Sequence, residues 1–175
     1  FDRGGAYDIT PWLAFAPALL ALPGAFSLDV LGPFEIFQGA SRLLALRARE
    51  QRVRDAQGAT FTREELPYQV ELVGARAGKV ETASDTPLYA ERSIARVREP
   101  VDTLIVAGGD VARMMQAVHA EPGLMAEFKR VAEGARRVVS VCTGSFLLAS
   151  AGLLQGKRAT KHWAAVDMLQ TAFPD

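Results

Sequence analysis

The chain has 175 residues, of which 49% are hydrophobic and 23% are charged. Its 20 basic and 20 acidic residues give a formal net charge of +0. This composition excludes a disordered or collagen-like chain, and the length suffices for one domain with its own hydrophobic core. A neutral chain has no long-range attraction for nucleic acid, so these residues alone are not expected to bind DNA by charge.

The pattern divides the chain into a polar arm over residues 1–12 and one domain over residues 13–175. Proline and glycine interrupt the apolar stretch 11–37, and its longest uninterrupted apolar run falls far short of the roughly 20 residues that a membrane helix needs. The single cysteine, Cys142, cannot form an internal disulfide, which favours a reducing cytoplasm. We therefore expect a cytoplasmic protein without a membrane segment.

Short apolar runs predict buried strands at residues 18–22, 102–106 and 137–141. Apolar residues at helical spacing predict helices, one from Leu28 onward after Ser27, and others at 122–136, 145–151 and 163–173. Apolar and polar residues alternate over 68–73 as in a strand, and a turn leads from them to a hairpin partner at 80–82. The charged stretch 47–65 is expected to be the end of a helix and a surface loop. Strands that alternate with helices imply a doubly wound, mostly parallel sheet flanked by helices, the α/β class.

Cys142 is the residue most suggestive of chemistry. It stands at a strand-to-helix junction with small residues, Ser140 and Gly144, two positions away on each side. Nucleophile elbows have this spacing because a sharp turn there tolerates only small neighbours. The following helix start favours thiolate over thiol. The alternative is an inert buried cysteine that packs as a small apolar residue.

Two carboxylates follow the first predicted strand. Asp29 lies in an otherwise apolar stretch at the start of a helix, where it is either a helix N-terminal charge or an acid or base that points into a site. Glu35 is the second candidate, one helical turn or so further along.

Gly108 and Gly109 end the second strand and allow backbone N–H groups to approach a ligand, although a plain tight turn has the same sequence. His119 and His162 do not adjoin the cysteine, and we interpret neither as a ligand. The sequence has no metal-ligand spacing and no dinucleotide or phosphate loop, so no metal or cofactor is expected.

Three segments resemble the ThiJ/PfpI superfamily, which has the class I glutamine amidotransferase-like, flavodoxin-like fold. They are ALPGAFSLDVLGPFEIF (21–37), DTLIVAGG (102–109) and VVSVCTGSFLLASAGLLQGKRATKHW (138–163). That fold normally continues with further strands and a helix, so the resemblance implies that the fold is incomplete at the C-terminus. The protease-like branch carries Cys-His at the elbow, and Thr143 at that position argues against it.

Two branches of the superfamily share these segments. Resemblance to the N-terminal domains of AraC-type transcriptional regulators implies a dimerising, ligand-sensing domain with a pocket at Asp29, Gly109, Cys142 and Thr143. It also implies DNA binding only through a C-terminal helix-turn-helix domain absent from this chain. The runs GPFEIFQGASRLL and YQVELVGARAGKVETASDTPL favour this branch.

Resemblance to the isonitrile hydratases implies an enzyme that adds water to an isonitrile to give an N-substituted formamide. Cys142 would be its nucleophile, Asp29 its general acid and base, and Thr143 a residue that shapes the pocket. A third alternative is a protein-interaction domain whose pocket is inert. The expected partners are a small-molecule ligand and a second copy of the chain.

Overall fold

A computed structural model describes residues 16–50, 67–159 and 163–174 of the chain. The predicted arm at 1–12, most of the predicted loop within 47–65, and His162 lie outside the described residues.

The strands of the described chain are β1 (Pro17–Ala21), β2 (Glu71–Gly74), β3 (Gly78–Val80), β4 (Leu88–Ala90), β5 (Arg92–Ser93), β6 (Thr103–Val106) and β7 (Arg137–Ser140). Five of these strands form a parallel central sheet, in the order β5-β2-β1-β6-β7. The helices are α1 (Ser27–Glu50), α2 (Val111–Ala120), α3 (Leu124–Gly134), α4 (Ser145–Ser150) and α5 (Trp163–Ala172). The predicted α/β class with a mostly parallel sheet is confirmed.

The central strand β1 packs against helices on both faces of the sheet. Leu20 and Leu22 join a core that includes Phe128 of α3 and Leu147 of α4. Leu19 and its alternating neighbour Ala21 join a second core with α1 and the β3–β4 pair. Because successive side chains of a strand point to opposite faces, a strand covered on both faces must be apolar throughout, as the sequence PALLA is.

The predicted hairpin between residues 68–73 and 80–82 is wrong. β3 pairs antiparallel with β4, whereas β2 pairs in parallel with β1 and β5. The alternation at 68–73 marked a strand correctly, but β2 is covered on both sides by parallel neighbours, so its edge is not available to β3.

The run at 137–141 was expected to be a fully buried strand, and this is also wrong. β7 alternates between exposed and half-buried residues, and the Val139 side chain is 41% exposed. The physical reason is its position, because within the described residues β7 lies at the edge of the sheet with β6 as its one neighbour.

Candidate functional site

Three loops meet at the carboxyl edge of the sheet, where β1, β6 and β7 end. The Phe26 N–H donates to the Gly108 carbonyl at 2.9 Å, and the Asp110 N–H donates to the Gly24 carbonyl at 2.9 Å. These bonds join the loop after β1 to the loop after β6. Ligand sites of open parallel sheets lie at this edge, and the convergence expected from the topology is present.

Cys142 occupies the sharp turn after β7. Its φ is +48°, a left-handed backbone conformation that residues other than glycine rarely adopt. The turn continues as a 3₁₀ helix over Cys142–Gly144 and then as α4, and the Cys142 residue is exposed to solvent. An exposed thiol on a strained backbone at a strand-to-helix turn has the geometry of a nucleophile elbow.

The surroundings of Gly144 explain why the turn tolerates only a small residue two positions after the cysteine. A Cβ added at Gly144 would lie 2.5 Å from the Val106 carbonyl oxygen and 3.0 Å from that of Ala107. The elbow therefore packs directly on the backbone of β6, and a side chain at this position would displace it.

Thr143 links the elbow to the glycine loop after β6. Its Oγ1 accepts from the Gly109 N–H at 2.7 Å and donates to the Gly109 carbonyl at 2.7 Å. The Gly109 N–H is thus already bonded to a side chain, so in this structure Thr143 orders the loop and Gly109 presents no free donor.

Asp29, in the first turn of α1, lies against Gly108 and the elbow. A Cβ added at Gly108 would lie 2.5 Å from Asp29 Oδ2, 2.8 Å from Cys142 Cβ and 2.8 Å from the Thr143 nitrogen. Gly108 therefore leaves the space in which a carboxylate and a thiol approach each other.

Burial raises the pKa of the Asp29 carboxyl above its ordinary value, against the lowering effects of the Gly108 N–H and the Cys142 thiol. Asp29 Oδ2 is buried and no donor reaches it at good hydrogen-bond geometry. Burial has the larger effect, so the net shift of the Asp29 pKa is upward. A carboxyl in this state is suited to hold a proton beside the sulfur.

The candidate Glu35 lies apart from this site, and so does His119, which the sequence did not indicate as a ligand. Glu35 is exposed on α1, and no described contact joins it to Asp29 or Cys142. His119 is exposed, and its Nδ1 lies 2.6 Å from the Met115 carbonyl oxygen. In residues 16–50, 67–159 and 163–174, no cluster of three or more metal-ligating side chains occurs. No helix in these ranges is both long and apolar enough to cross a membrane.

Sequence reasoning missed a group of hydroxyls beside the first turn of α1. Ser27 Oγ lies 3.0 Å from Ser84 Oγ, which lies 3.2 Å from Thr82 Oγ1. The Ala83 N–H donates to the Ala25 carbonyl at 2.9 Å and so fixes this loop to the loop after β1. Ser27 and Ser84 are 57 residues apart in sequence, and nothing local in either segment indicates the contact.

Two clefts of the described chain lie away from the elbow. One, of about 600 Å³, is bordered by α5 and the turn after α4. The other, of about 420 Å³, lies beside α2 and the β3 strand. Neither is lined by Cys142 or Asp29.

The described residues form a doubly wound α/β domain with the cysteine elbow at the carboxyl edge of its parallel sheet. The DJ-1/PfpI family model matches residues 18–173, and the chain belongs to that family.

Relatives of the chain fall in more than one group. A Streptomyces lividans protein of the cpoL 5′ region is 35% identical over 145 residues, which are 83% of this chain and 85% of that protein. Isonitrile hydratase of Pseudomonas putida is 70% identical over 37 residues, or 21% of this chain and 16% of the enzyme. An HTH-type transcriptional regulator of Mycobacterium tuberculosis is 52% identical over 56 residues, or 32% of this chain and 20% of the regulator.

Solved structures show the same fold. A ThiJ/PfpI family protein from Pseudomonas syringae has a TM-score of 0.66 at 22% identity, over 97% of this chain and 60% of that chain. An AraC family transcriptional regulator from Pseudomonas putida has a TM-score of 0.59 at 19% identity, over 91% of this chain and 73% of that chain. The chain spans 85% of the length of the Streptomyces lividans protein but only 16% of the isonitrile hydratase and 20% of the Mycobacterium tuberculosis regulator in the matched segments.

Proposed function

We propose that this chain is the ligand-sensing and dimerising domain of an AraC-type transcriptional regulator, with DNA bound by a domain outside the chain. The observation that carries the proposal is the presence of HTH-type regulators among its relatives, at 52% identity over 56 residues for the Mycobacterium tuberculosis protein. The neutral charge of the chain agrees with a role in which other residues bind DNA.

The proposed sensor site is the surface formed by Cys142, Asp29 and Thr143. The ligand is a small molecule that contacts the exposed sulfur and the carboxyl of Asp29. Thr143, bonded to Gly109, transmits a displacement of the elbow to the loop after β6. That loop is joined in turn to the loop after β1, so a ligand at the sulfur acts on the start of α1.

A second candidate function is a cysteine-dependent isonitrile hydratase, favoured by the 70% identity over 37 residues to the Pseudomonas putida enzyme. In this reaction the Cys142 thiol gives its proton to Asp29 as the sulfur bonds to the terminal isonitrile carbon, and Asp29 passes that proton to the carbon to form a thioimidate. Water then adds across the carbon–nitrogen bond, with its hydroxyl on the carbon and its other proton on the nitrogen. The carbon–sulfur bond breaks, and the sulfur takes the hydroxyl proton as the N-substituted formamide leaves. The proximity of Asp29 to the elbow suits this proton transfer.

One pair of assays separates the two candidates. The gene product as encoded is incubated with cyclohexyl isonitrile, and release of the formamide is followed by NMR, with Cys142→Ala as the matched inactive control. The same preparation is tested for a sequence-specific shift of DNA from upstream of its own gene. DNA binding without turnover supports the regulator. Turnover that Cys142→Ala abolishes, in a gene product that does not bind this DNA, contradicts the regulator.

The reactivity of the thiol tests the site itself. Iodoacetamide alkylates the thiolate form of Cys142. The negative charge of the Asp29 carboxylate disfavours a negative charge on the neighbouring sulfur. We therefore expect Asp29→Asn to alkylate several-fold faster than the wild type at neutral pH, and the difference to shrink as acid protonates Asp29. Equal rates at every pH would show that Asp29 does not act on the sulfur.

A further inference from the structure

The cleft of about 420 Å³ beside α2 and β3 has no part in the proposed function. Its volume is within the range of sites that hold small molecules. Pro23 and Ala75 line it, so it lies where β1 and β2 end, at the same edge of the sheet as the elbow. Ligands of open parallel sheets bind at this edge. Neither Cys142 nor Asp29 lines the cleft, which makes it a separate site.

Arg113 of α2 lines the cleft, and three contacts hold it in place. Its backbone N–H donates to Asp110 Oδ1 at 3.0 Å. Its side chain packs on the loop after β1, since a Cβ added at Gly24 would lie 2.7 Å from Arg113 Cβ. Its Nη1 donates to the Thr82 carbonyl oxygen at 3.3 Å. The guanidinium is therefore ordered before a ligand arrives, which lowers the entropic cost of binding one.

The guanidinium of Arg113 has hydrogen-bond donors left for a ligand. A guanidinium carries five N–H donors, and in the part of the chain that the structure describes this one makes a single hydrogen bond and no ion pair. The other two cations of the cleft are paired, because Arg76 Nε lies 2.6 Å from Glu121 Oε1 and Lys79 Nζ lies 2.6 Å from Glu81 Oε1. Arg113 is half-buried, and a partly desolvated cation without a counter-ion attracts an anion.

The remainder of the lining indicates the chemistry of that anion. Three cations and two carboxylates line the cleft, an excess of one positive charge. One negative charge on a ligand balances this excess, whereas a second one would meet the carboxylates of Glu81 and Glu121. Val80 and Ala117 give the cleft an apolar wall, which suits a hydrocarbon group.

We propose that this cleft is a second small-molecule site, which binds a monocarboxylate with a short hydrocarbon body through the guanidinium of Arg113. The planar guanidinium matches a carboxylate with two parallel N–H···O bonds. The hydrocarbon body lies against the apolar wall. The proposal goes beyond the sensor surface at Cys142 and does not depend on it.

Saturation-transfer difference NMR, which detects weak binding, tests the ligand class at fixed ionic strength. We expect sodium butyrate to bind saturably to the gene product as encoded, and butyramide, which has the same shape without the charge, not to bind. Succinate should bind more weakly than butyrate, because its second carboxylate meets Glu81 and Glu121. An absence of saturable butyrate binding overturns the proposed site and leaves the sensor surface at Cys142 standing. Tighter binding of butyramide or of succinate overturns the monocarboxylate class.

Removal of the cation tests the role of Arg113. Arg113→Met keeps an unbranched apolar stem and loses the charge, and we expect it to weaken butyrate binding at least about tenfold. The matched control is Arg96→Met, which removes an exposed cation that does not line the cleft. It should bind butyrate as the wild type does.

A second variant leaves Arg113 intact and so decides the matter even if Arg113→Met folds poorly. Ala117→Glu places a carboxylate on the wall of the cleft and should weaken butyrate binding as strongly. Its control, Ala112→Glu, adds the same charge at an exposed position of α2 outside the cleft and should bind normally. Cys142→Ala should also bind normally. Butyrate binding that survives both Arg113→Met and Ala117→Glu, or that Cys142→Ala abolishes, overturns the cleft as the binding site.

Discussion

At the scale of single residues, the site depends on the absence of a side chain at Gly108 as much as on the side chains that are present. Asp29, Cys142 and Thr143 all lie within 3 Å of the place that a Cβ on Gly108 would occupy. The carboxylate and the thiol can be neighbours because the backbone between them carries no side chain. Gly108 therefore controls the distance between Asp29 and the sulfur.

Gly108→Ala is expected to lower the free energy of unfolding by about 1–3 kcal/mol, because overpacking forces the elbow and the start of α1 apart. It should also remove the effect of Asp29→Asn on Cys142 alkylation, since the two groups separate. Urea denaturation measures the first effect and iodoacetamide kinetics the second. The matched control is Gly134→Ala, at which an added Cβ meets no atom within 4 Å. Equal stability of the two variants would contradict the crowding at Gly108.

Asp29 makes the stability of the protein depend on pH in the direction opposite to most carboxylates. Burial raises its pKa in the folded state, against the lowering effects of Gly108 and Cys142. Its favourable contribution is therefore complete below the pKa of the unfolded chain and is lost as pH rises through the folded pKa. The ionised carboxylate destabilises the fold at neutral pH.

We expect Asp29→Asn to be more stable than the wild type at neutral pH, with the difference vanishing in acid. Urea unfolding of both proteins across the acid and neutral range measures this. Asp167→Asn, at an exposed position on α5, shows what the loss of one surface charge does by itself. An Asp29→Asn protein that is less stable at neutral pH would mean that the carboxylate is well bonded in the fold, contrary to the geometry of Oδ2.

At the scale of the elements, Asp102 joins the start of β6 to the start of β7. Thr103 Oγ1 donates to Asp102 Oδ2 at 2.7 Å, Arg136 Nε donates to Oδ1 at 2.5 Å, and the Arg137 guanidinium lies 3.7 Å from Oδ2. Burial by itself raises the pKa of Asp102, but the hydrogen bonds from Arg136 and Thr103 and the two arginine charges outweigh it and lower the pKa. The carboxylate thereby holds the edge strand β7 against β6.

Asp102→Asn is expected to lower the free energy of unfolding by about 1–2 kcal/mol at neutral pH, the usual effect of losing hydrogen bonds to a charged group. Because the folded pKa is depressed, this stabilisation is present above the unfolded pKa and is lost as pH falls through the folded pKa. The difference from wild type should therefore shrink in acid. Glu99→Gln is the control, since that side chain is 67% exposed and its ion pair with Arg92 is screened by water. A loss that persists in acid would point to packing rather than charge.

The sequence predicted these elements well where the signal is local. The runs at 18–22 and 102–106 are apolar at every position because both faces of the strand are covered, and β1 and β6 lie there. The sequence predicted the elbow because small residues flank Cys142 at a fixed spacing. The partner of β3 was not predictable, since β4 lies beyond a turn and the pairing depends on which edges β2 leaves open.

The same distinction holds for the site residues. That the loops after β1, β6 and β7 converge follows from the order of parallel strands, and this order brings Gly108 beside Cys142. Whether Asp29 or Glu35 is turned toward the sulfur depends on the rotation of α1 about its axis. The packing of Val30 against the sheet sets that rotation, and a sequence pattern leaves it open by a large part of a turn.

At the scale of the whole molecule, β1 supports both cores and the site together. It pairs with β2 on one side and β6 on the other, and its side chains enter the packed cores on both faces of the sheet. Its end carries the loop that positions Asp29. Loss of order in β1 would therefore disrupt both cores and the elbow at once, whereas β5 and β7 lie at the edges of the described sheet.

Native-state hydrogen exchange should show that the central strands are more stable against local opening than the edge strands. We expect the amides of β1 and β6 that bond within the sheet to exchange only through global unfolding, because Leu19 and Leu104 there are fully buried and both strands have two neighbours. The amides of β7 and of the β3–β4 pair should exchange faster, through local opening that leaves β1 intact. NMR or mass spectrometry with added urea distinguishes the two routes, since only global opening accelerates in proportion to the surface exposed on complete unfolding. If β7 were as protected as β1, its edge would be covered in solution by a strand from elsewhere in the gene product or from a second copy.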